Sequence, residues 1–93
     1  MGLGVVVGLL DKIFSNKVKT KTGSYKSGQK KYEGNLKNGK KNGIWTYWHD
    51  NGQKEWEGNY KDGKEEGRWI GWHRDGRKWW EETYKNGELV EEE

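Results

Sequence analysis

Cysteine and proline are both absent from the 93 residues, and methionine and phenylalanine occur once each. Without cysteine there is no disulfide, no thiol chemistry and no zinc site built on thiolates, although this alone does not separate one redox compartment from another. Without proline every residue keeps its backbone N–H, so no segment is barred from the interior of a sheet. Aliphatic side chains are also scarce. Only 29% of residues are hydrophobic against 35% charged, a ratio that would indicate disorder if nothing replaced the missing core. The longest apolar stretch, GLGVVVGLLDKIF over residues 2–14, is well short of the roughly 20 residues that a membrane-spanning helix needs.

What replaces the aliphatic core is aromatic: seven Trp and five Tyr, in the company of 15 Gly. A buried ring removes roughly 150 to 250 Å² from water, so a few regularly spaced rings can hold a small fold together. Net charge is +3 but unevenly placed. Residues 1–43 hold ten Lys against Asp11 and Glu33, whereas the remainder is acidic and ends in Glu91, Glu92 and Glu93.

The sequence superimposes on itself after a shift of 24 residues, aligning Gly28 with Gly52 and Gly76, and Gly39 with Gly63 and Gly87. Residues 28–51 and 52–75 agree at 13 of 24 positions, among them Glu33/Glu57, Trp45/Trp69, Trp48/Trp72 and His49/His73. A third, partial copy runs over 76–93 and departs from the pattern at Glu82 and Thr83, where the others have Gly and Asn. Six turn dipeptides punctuate the copies: Ser27-Gly28, Asn38-Gly39, Asn51-Gly52, Asp62-Gly63, Asp75-Gly76 and Asn86-Gly87. Asn-Gly and Asp-Gly favour tight hairpins because both residues accept positive φ. The glycines alternate 11 and 13 residues apart, which predicts two strands per copy joined by two unequal turns, the longer interval absorbing Gly43 or Gly67.

Between turns the pattern has period two. Tyr32, Gly34 and Leu36 share one face and Lys31, Glu33, Asn35 and Lys37 the other, and Trp56, Gly58 and Tyr60 repeat the first set. The alternate strands are apolar on both sides, with Trp45 and Tyr47 opposed by Ile44 and Trp48, and Trp69 opposed by Ile70 and Trp72. This predicts an all-β fold, a single-layer antiparallel sheet with an aromatic inner surface. A sheet one layer thick cannot bury both faces, so some ring surface is expected to remain for a partner. The groove candidates are Trp45, Tyr47, Trp48, Trp69, Trp72 and Trp79.

The string Tyr32-Glu33-Gly34-Asn35-Leu36-Lys37-Asn38-Gly39-Lys40-Lys41-Asn42-Gly43, followed by Trp45, Tyr47 and Asn51-Gly52, resembles a MORN repeat. More closely it is similar to the bacterial variant found in proteins labelled toxin–antitoxin antitoxins. The resemblance covers residues 25–90. It implies tandem hairpins stacked lengthwise with aromatic side chains along a concave groove, acting as scaffolds, protein-binding modules or lipid-associated modules, and it implies no chemistry.

Outside the repeat domain at 25–93, residues 1–14 form an apolar segment and 15–24 read as a basic linker. If the segment is helical, Leu3, Val6, Val7, Leu10 and Phe14 share a face. Packing on the sheet, shallow contact with an anionic membrane and a remnant of a secretory signal are the three readings. No catalytic, cofactor or metal site is expected. His49 and His73 stand two strand spacings apart, roughly 9.6 Å, too far to share a metal, and each is expected to bond locally beside its turn. Glu33, Glu57 and Glu81 form a ladder with a spacing near that of inverting glycosidases, but a repeat makes such a ladder at every position, and the flanking lysines give it a charge-pairing role across strands.

These observations favour a non-enzymatic protein-binding module, with a toxin as one partner to consider, in the cytoplasm. Peripheral membrane attachment, export with wall or glycan binding, and self-association through open sheet edges are the alternatives. Nucleic acid is disfavoured because the lysine cluster lacks interleaved aromatics and the carboxyl half is acidic.

Overall fold

The computed structural model describes residues 17–91. They form seven strands: β1 (Val18–Ser24), β2 (Lys30–Lys37), β3 (Lys40–Trp48), β4 (Lys54–Lys61), β5 (Lys64–Trp72), β6 (Lys78–Lys85) and β7 (Glu88–Val90). Each strand pairs antiparallel with its neighbour in sequence, so the sheet order is the chain order from β1 to β7. The shortest dimension is 12 Å, the thickness of one layer. No helix occurs among the described residues, and none there is long and apolar enough to cross a membrane. Leu3, Val6, Val7, Leu10 and Phe14 lie outside the described residues.

Two kinds of turn alternate along the sheet. At Asn38-Gly39, Asp62-Gly63 and Asn86-Gly87 both residues have positive φ, 51–52° for the first and 82–86° for the glycine, as a two-residue hairpin requires. The other three turns work differently. Gly28, Gly52 and Gly76 have positive φ, but Ser27, Asn51 and Asp75 do not. There the Gly52 N–H donates to the His49 carbonyl at 3.0 Å and the His49 N–H to the Gln53 carbonyl at 2.8 Å, closing a wider loop with the glycine as its left-handed residue. Asn51 and Asp75 contribute side chains instead: their Oδ1 atoms accept the N–H of Gln53 and Arg77, each at 3.0 Å. The expectation of positive φ at both residues therefore fails at Asn51-Gly52 and Asp75-Gly76.

The 13-residue interval is taken up by a bulge. Glu33 pairs with Thr46 and Asn35 with Asn42, leaving Gly43, Ile44 and Trp45 against Gly34 alone. The next copy does the same, with Glu57 paired to Ile70 and Asn59 to Glu66 around Gly58. Gly43 and Gly67, both at φ +82°, make that bend, so the extra glycine has the place that the spacing gave it.

The reading of residues 15–24 as a linker is corrected from Val18 onward. β1 pairs with β2 from Val18↔Lys37 to Ser24↔Lys30, and its VKTKT alternation supplies the sheet's first strand. Two residues of each facing class in β1 are lysine or threonine instead of aromatic, which hid the strand in a basic run.

Candidate functional site

The sheet has two unlike faces, and glycine creates the first. Trp45 projects from β3 and lies flat across Gly34 of β2, and Trp69 of β5 lies across Gly58 of β4 in the same way. A Cβ at either glycine would fall within the indole ring itself. The indole N–H groups donate to backbone carbonyls, Trp45 to Asn35 at 2.9 Å and Trp69 to Asn59 at 3.2 Å. Laid on bare backbone with its one donor satisfied, each indole escapes water without a second layer: Trp45 is 3% exposed and Trp69 7%.

Other rings close around these two. Tyr32 stacks on Tyr47 at 5.3 Å between centroids, Tyr47 on Trp56 at 4.3 Å and Trp56 on Trp69 at 5.1 Å, a row crossing β2 to β5. Tyr60 meets Trp45 and Trp69 edge-on at 6.4 and 5.0 Å, and Tyr84 meets Trp69 edge-on at 5.9 Å. The Lys41 ammonium sits 4.8 Å from the Trp45 ring and 5.0 Å from that of Tyr60, adding a cation–π cover. Burial raises the Tyr47 and Tyr60 hydroxyls above their ordinary pKa, with Tyr32 and Glu55 adding at Tyr47, and Glu65 and Tyr47 adding at Tyr60. Tyr84 is raised first by its hydrogen bond to Glu82 and then by burial.

The opposite face is charged and partly apolar. Glu33, Glu57 and Glu81 are each paired with the lysine three residues before them, Lys30, Lys54 and Lys78, and Glu81 also with Arg68. The Thr46 hydroxyl donates to Glu57 at 2.9 Å. The hydrogen bond from Lys78, then that from Arg68, holds the Glu81 carboxyl below its ordinary pKa. The ladder pairs charges, but the expectation that its lysines do so across strands is corrected: each lysine pairs within its own strand, and the pair across strands is Arg68 with Glu81. Half-buried Trp48 and Trp72 lie at one end of this face beneath the Lys30 and Lys54 ammonium groups, each 5.7 Å from its ring. Ile44, in the β3 bulge, stands 57% exposed on this face.

The six groove candidates therefore do not share one surface. Trp45, Tyr47 and Trp69 belong to the stacked face, where Trp45 and Trp69 are its core. Trp48 and Trp72 belong to the charged face. Trp79 is 65% exposed and stacks on His73 at 4.7 Å. The groove candidates leave out Tyr32, Trp56, Tyr60 and Trp80, the half-buried rings that give the stacked face its outer surface. Their position on the same alternate as Gly34 and Gly58 was the available signal.

The histidine expectation is also corrected. His49 Nε2 donates to the Trp72 carbonyl at 3.0 Å, bridging to the next copy, and Tyr25, one copy earlier, donates its hydroxyl to the Trp48 carbonyl at 2.7 Å. Asn51 Nδ2 reaches the Arg74 carbonyl at 2.8 Å and Arg74 reaches Asp50 at 2.6 Å, so the wide turns are stitched to one another along the edge. No group of three or more His, Asp or Glu able to hold a metal occurs among the described residues. Fold and faces together define an open, single-layer β-hairpin repeat sheet. Comparison with protein-family models, curated proteins and solved structures finds no match.

Proposed function

We propose that this chain is a non-enzymatic protein-binding module, and that it receives an extended polypeptide segment with apolar side chains on its stacked aromatic face. The observation that carries the reading is the row Tyr32, Tyr47, Trp56 and Trp69, continuous across four strands of a sheet with no second layer among the described residues. Large amphipathic rings held rigid by stacking lose little entropy on contact, which makes them effective anchors for a partner. The pattern of glycines, turns and rings resembles that of MORN-type repeats, and on that resemblance the finer form of the proposal is an antitoxin-like module whose partner is a toxin.

Capture from native cells tests it. The wild-type chain should retain a stoichiometric protein, identified by mass spectrometry. Tyr47→Ser, on the stacked face, should lose it, while Ile44→Ser, exposed on the charged face, should keep it. Absence of a stoichiometric partner, or equal retention by both variants, would overturn the proposal.

A further inference from the structure

Charge on the stacked face is sorted from one end of the sheet to the other. Lys19 and Lys21 of β1 share this face with Leu36 and Gly34, their partners in β2, and Lys41 of β3 flanks Leu36 from the other side. Toward the far end the face carries Glu65 of β5, opposite Tyr60, and Glu82 of β6, opposite Trp69. Glu55 of β4 acts on Tyr47 midway between the two ends. No ion pair engages any of these side chains among the described residues, whereas the opposite face and the wide-turn edge hold charges in pairs.

A plain repeat would carry the same charge in every copy, and here the sign changes. Glu65 stands where the preceding copy has Lys41, and Glu82 where the others have Gly34 and Gly58. Lys19 and Lys21 take the places of Gly43 and Trp45. The basic end also has a recess. Leu36 stands where later copies have Tyr60 and Tyr84, and beside it lies a cavity of about 300 Å³ lined by Lys17, Lys19, Leu36, Asn38 and Gly39. It joins an apolar side chain to two that carry ammonium groups, which suits a carboxylate on a short apolar stem. Lys17, Lys19, Lys21 and Lys41 together call for more than one negative charge, which acidic side chains supply and a single chain terminus does not.

We infer, resting on the reading of the stacked face as a polypeptide-binding surface, that the segment it takes is ordered by charge. Acidic side chains lie over Lys17, Lys19, Lys21 and Lys41, apolar ones over the row Tyr32, Tyr47, Trp56 and Trp69, and basic ones over Glu65 and Glu82. From β1 to β6 the sheet advances by five strand spacings. That is roughly 24 Å, the span of an extended segment of about eight residues. Opposite charges at the two ends fix the direction of the segment, and a segment of one sign is repelled at one end.

Tryptophan fluorescence titration of the full chain with four capped synthetic peptides of about eight residues tests the inference. All share a centre of alternating valine and phenylalanine. One has glutamates at one end and lysines at the other, one glutamates at both, one lysines at both and one glutamines at both. The charge-ordered peptide should bind about tenfold tighter than the glutamine peptide at low salt, and the gap should close in high salt. The double variant Lys19→Glu, Lys21→Glu should cease to discriminate against lysines at both ends while still rejecting glutamates at both, and Glu82→Lys should do the reverse. The selectivity that each variant retains shows that it is folded, and because the exchanges stand at opposite ends either one decides. Equal binding of all four peptides, or of none, overturns the inference, as do exchanges that leave wild-type selectivity unchanged. Loss of the native partner by Tyr47→Ser does not depend on charge order, so a face that takes polypeptide without regard to charge is told apart from one that takes none.

Discussion

Gly34 and Gly58 do what an apolar second layer does elsewhere: they let an indole lie on the backbone and leave water. Burial of one such ring contributes roughly 3 kcal/mol, and in a chain with two buried hydrophobic side chains among the described residues that is a large share of its stability. Gly58→Ala should therefore cost about 3 kcal/mol, since the added Cβ would overlap the Trp69 ring and lift it off the backbone. Gly43→Ala meets no atom within 4 Å and carries only the strain of its φ of +82°. It should cost about 1 to 2 kcal/mol. Urea unfolding of the two variants separates the mechanisms, and equal losses would mean that the ring does not rest on the glycine. The glycines were visible in the sequence as part of the repeat, but their purpose was not. Period-two alternation places Gly34 and Trp45 on one face without saying that one covers the other, because the overlap depends on the bulge that moves Trp45 across.

Among the elements, the turns show how far composition can be trusted. Asn38-Gly39 and Asn51-Gly52 are the same dipeptide, yet only the first adopts positive φ at Asn. The loop lengths differ, residues 38–39 joining β2 to β3 and residues 49–53 joining β3 to β4, and the side chain of Asn51 is committed to the Gln53 N–H and the Arg74 carbonyl. Opposite responses to glycine follow. Asp62→Gly should be neutral or slightly stabilising, because glycine adopts φ of 51° without strain. Asn51→Gly should lose about 1 kcal/mol with its two hydrogen bonds, again read from urea unfolding. Strand β1 was illegible for a related reason. Its alternation is intact, but Lys19 and Lys21 stand where rings or glycine stand in the other copies, and a run of lysines reads as solvated chain unless the sheet beside it is known.

At the scale of the whole molecule, each strand is bonded only to its neighbours in sequence, so stability accumulates copy by copy along the sheet. The stitching residues Tyr25, His49 and Asn51 reach 23 residues ahead, to the next copy, a distance at which local motif reading has no signal. Charge adds a pH dependence. Glu81 is held below its ordinary pKa by Lys78 and Arg68, and Asp75 by Arg77, so both bind protons less readily folded than unfolded. Their contribution is complete above the unfolded carboxylate range, about 4, and is lost as pH falls through the lower folded values. The urea midpoint should drop on acidification below that range, and Glu81→Gln should flatten the drop. Tyr47 and Tyr60 act in the other direction. Their raised pKa values mean that stability is full below the ordinary tyrosine range and declines as pH climbs through the folded values.

Rings lying over glycine backbone hold this sheet together, and the proton chemical shifts of those glycines report the contact directly. In a two-dimensional NMR spectrum the α protons of Gly34, Gly58 and Gly71, which face Trp45, Trp69 and Trp80, should be displaced strongly upfield by the ring currents above them. Those of Gly39, Gly43 and Gly67, with no side chain near, should sit at ordinary glycine positions. Ordinary positions for all six would contradict the fold described here and the binding face built on it.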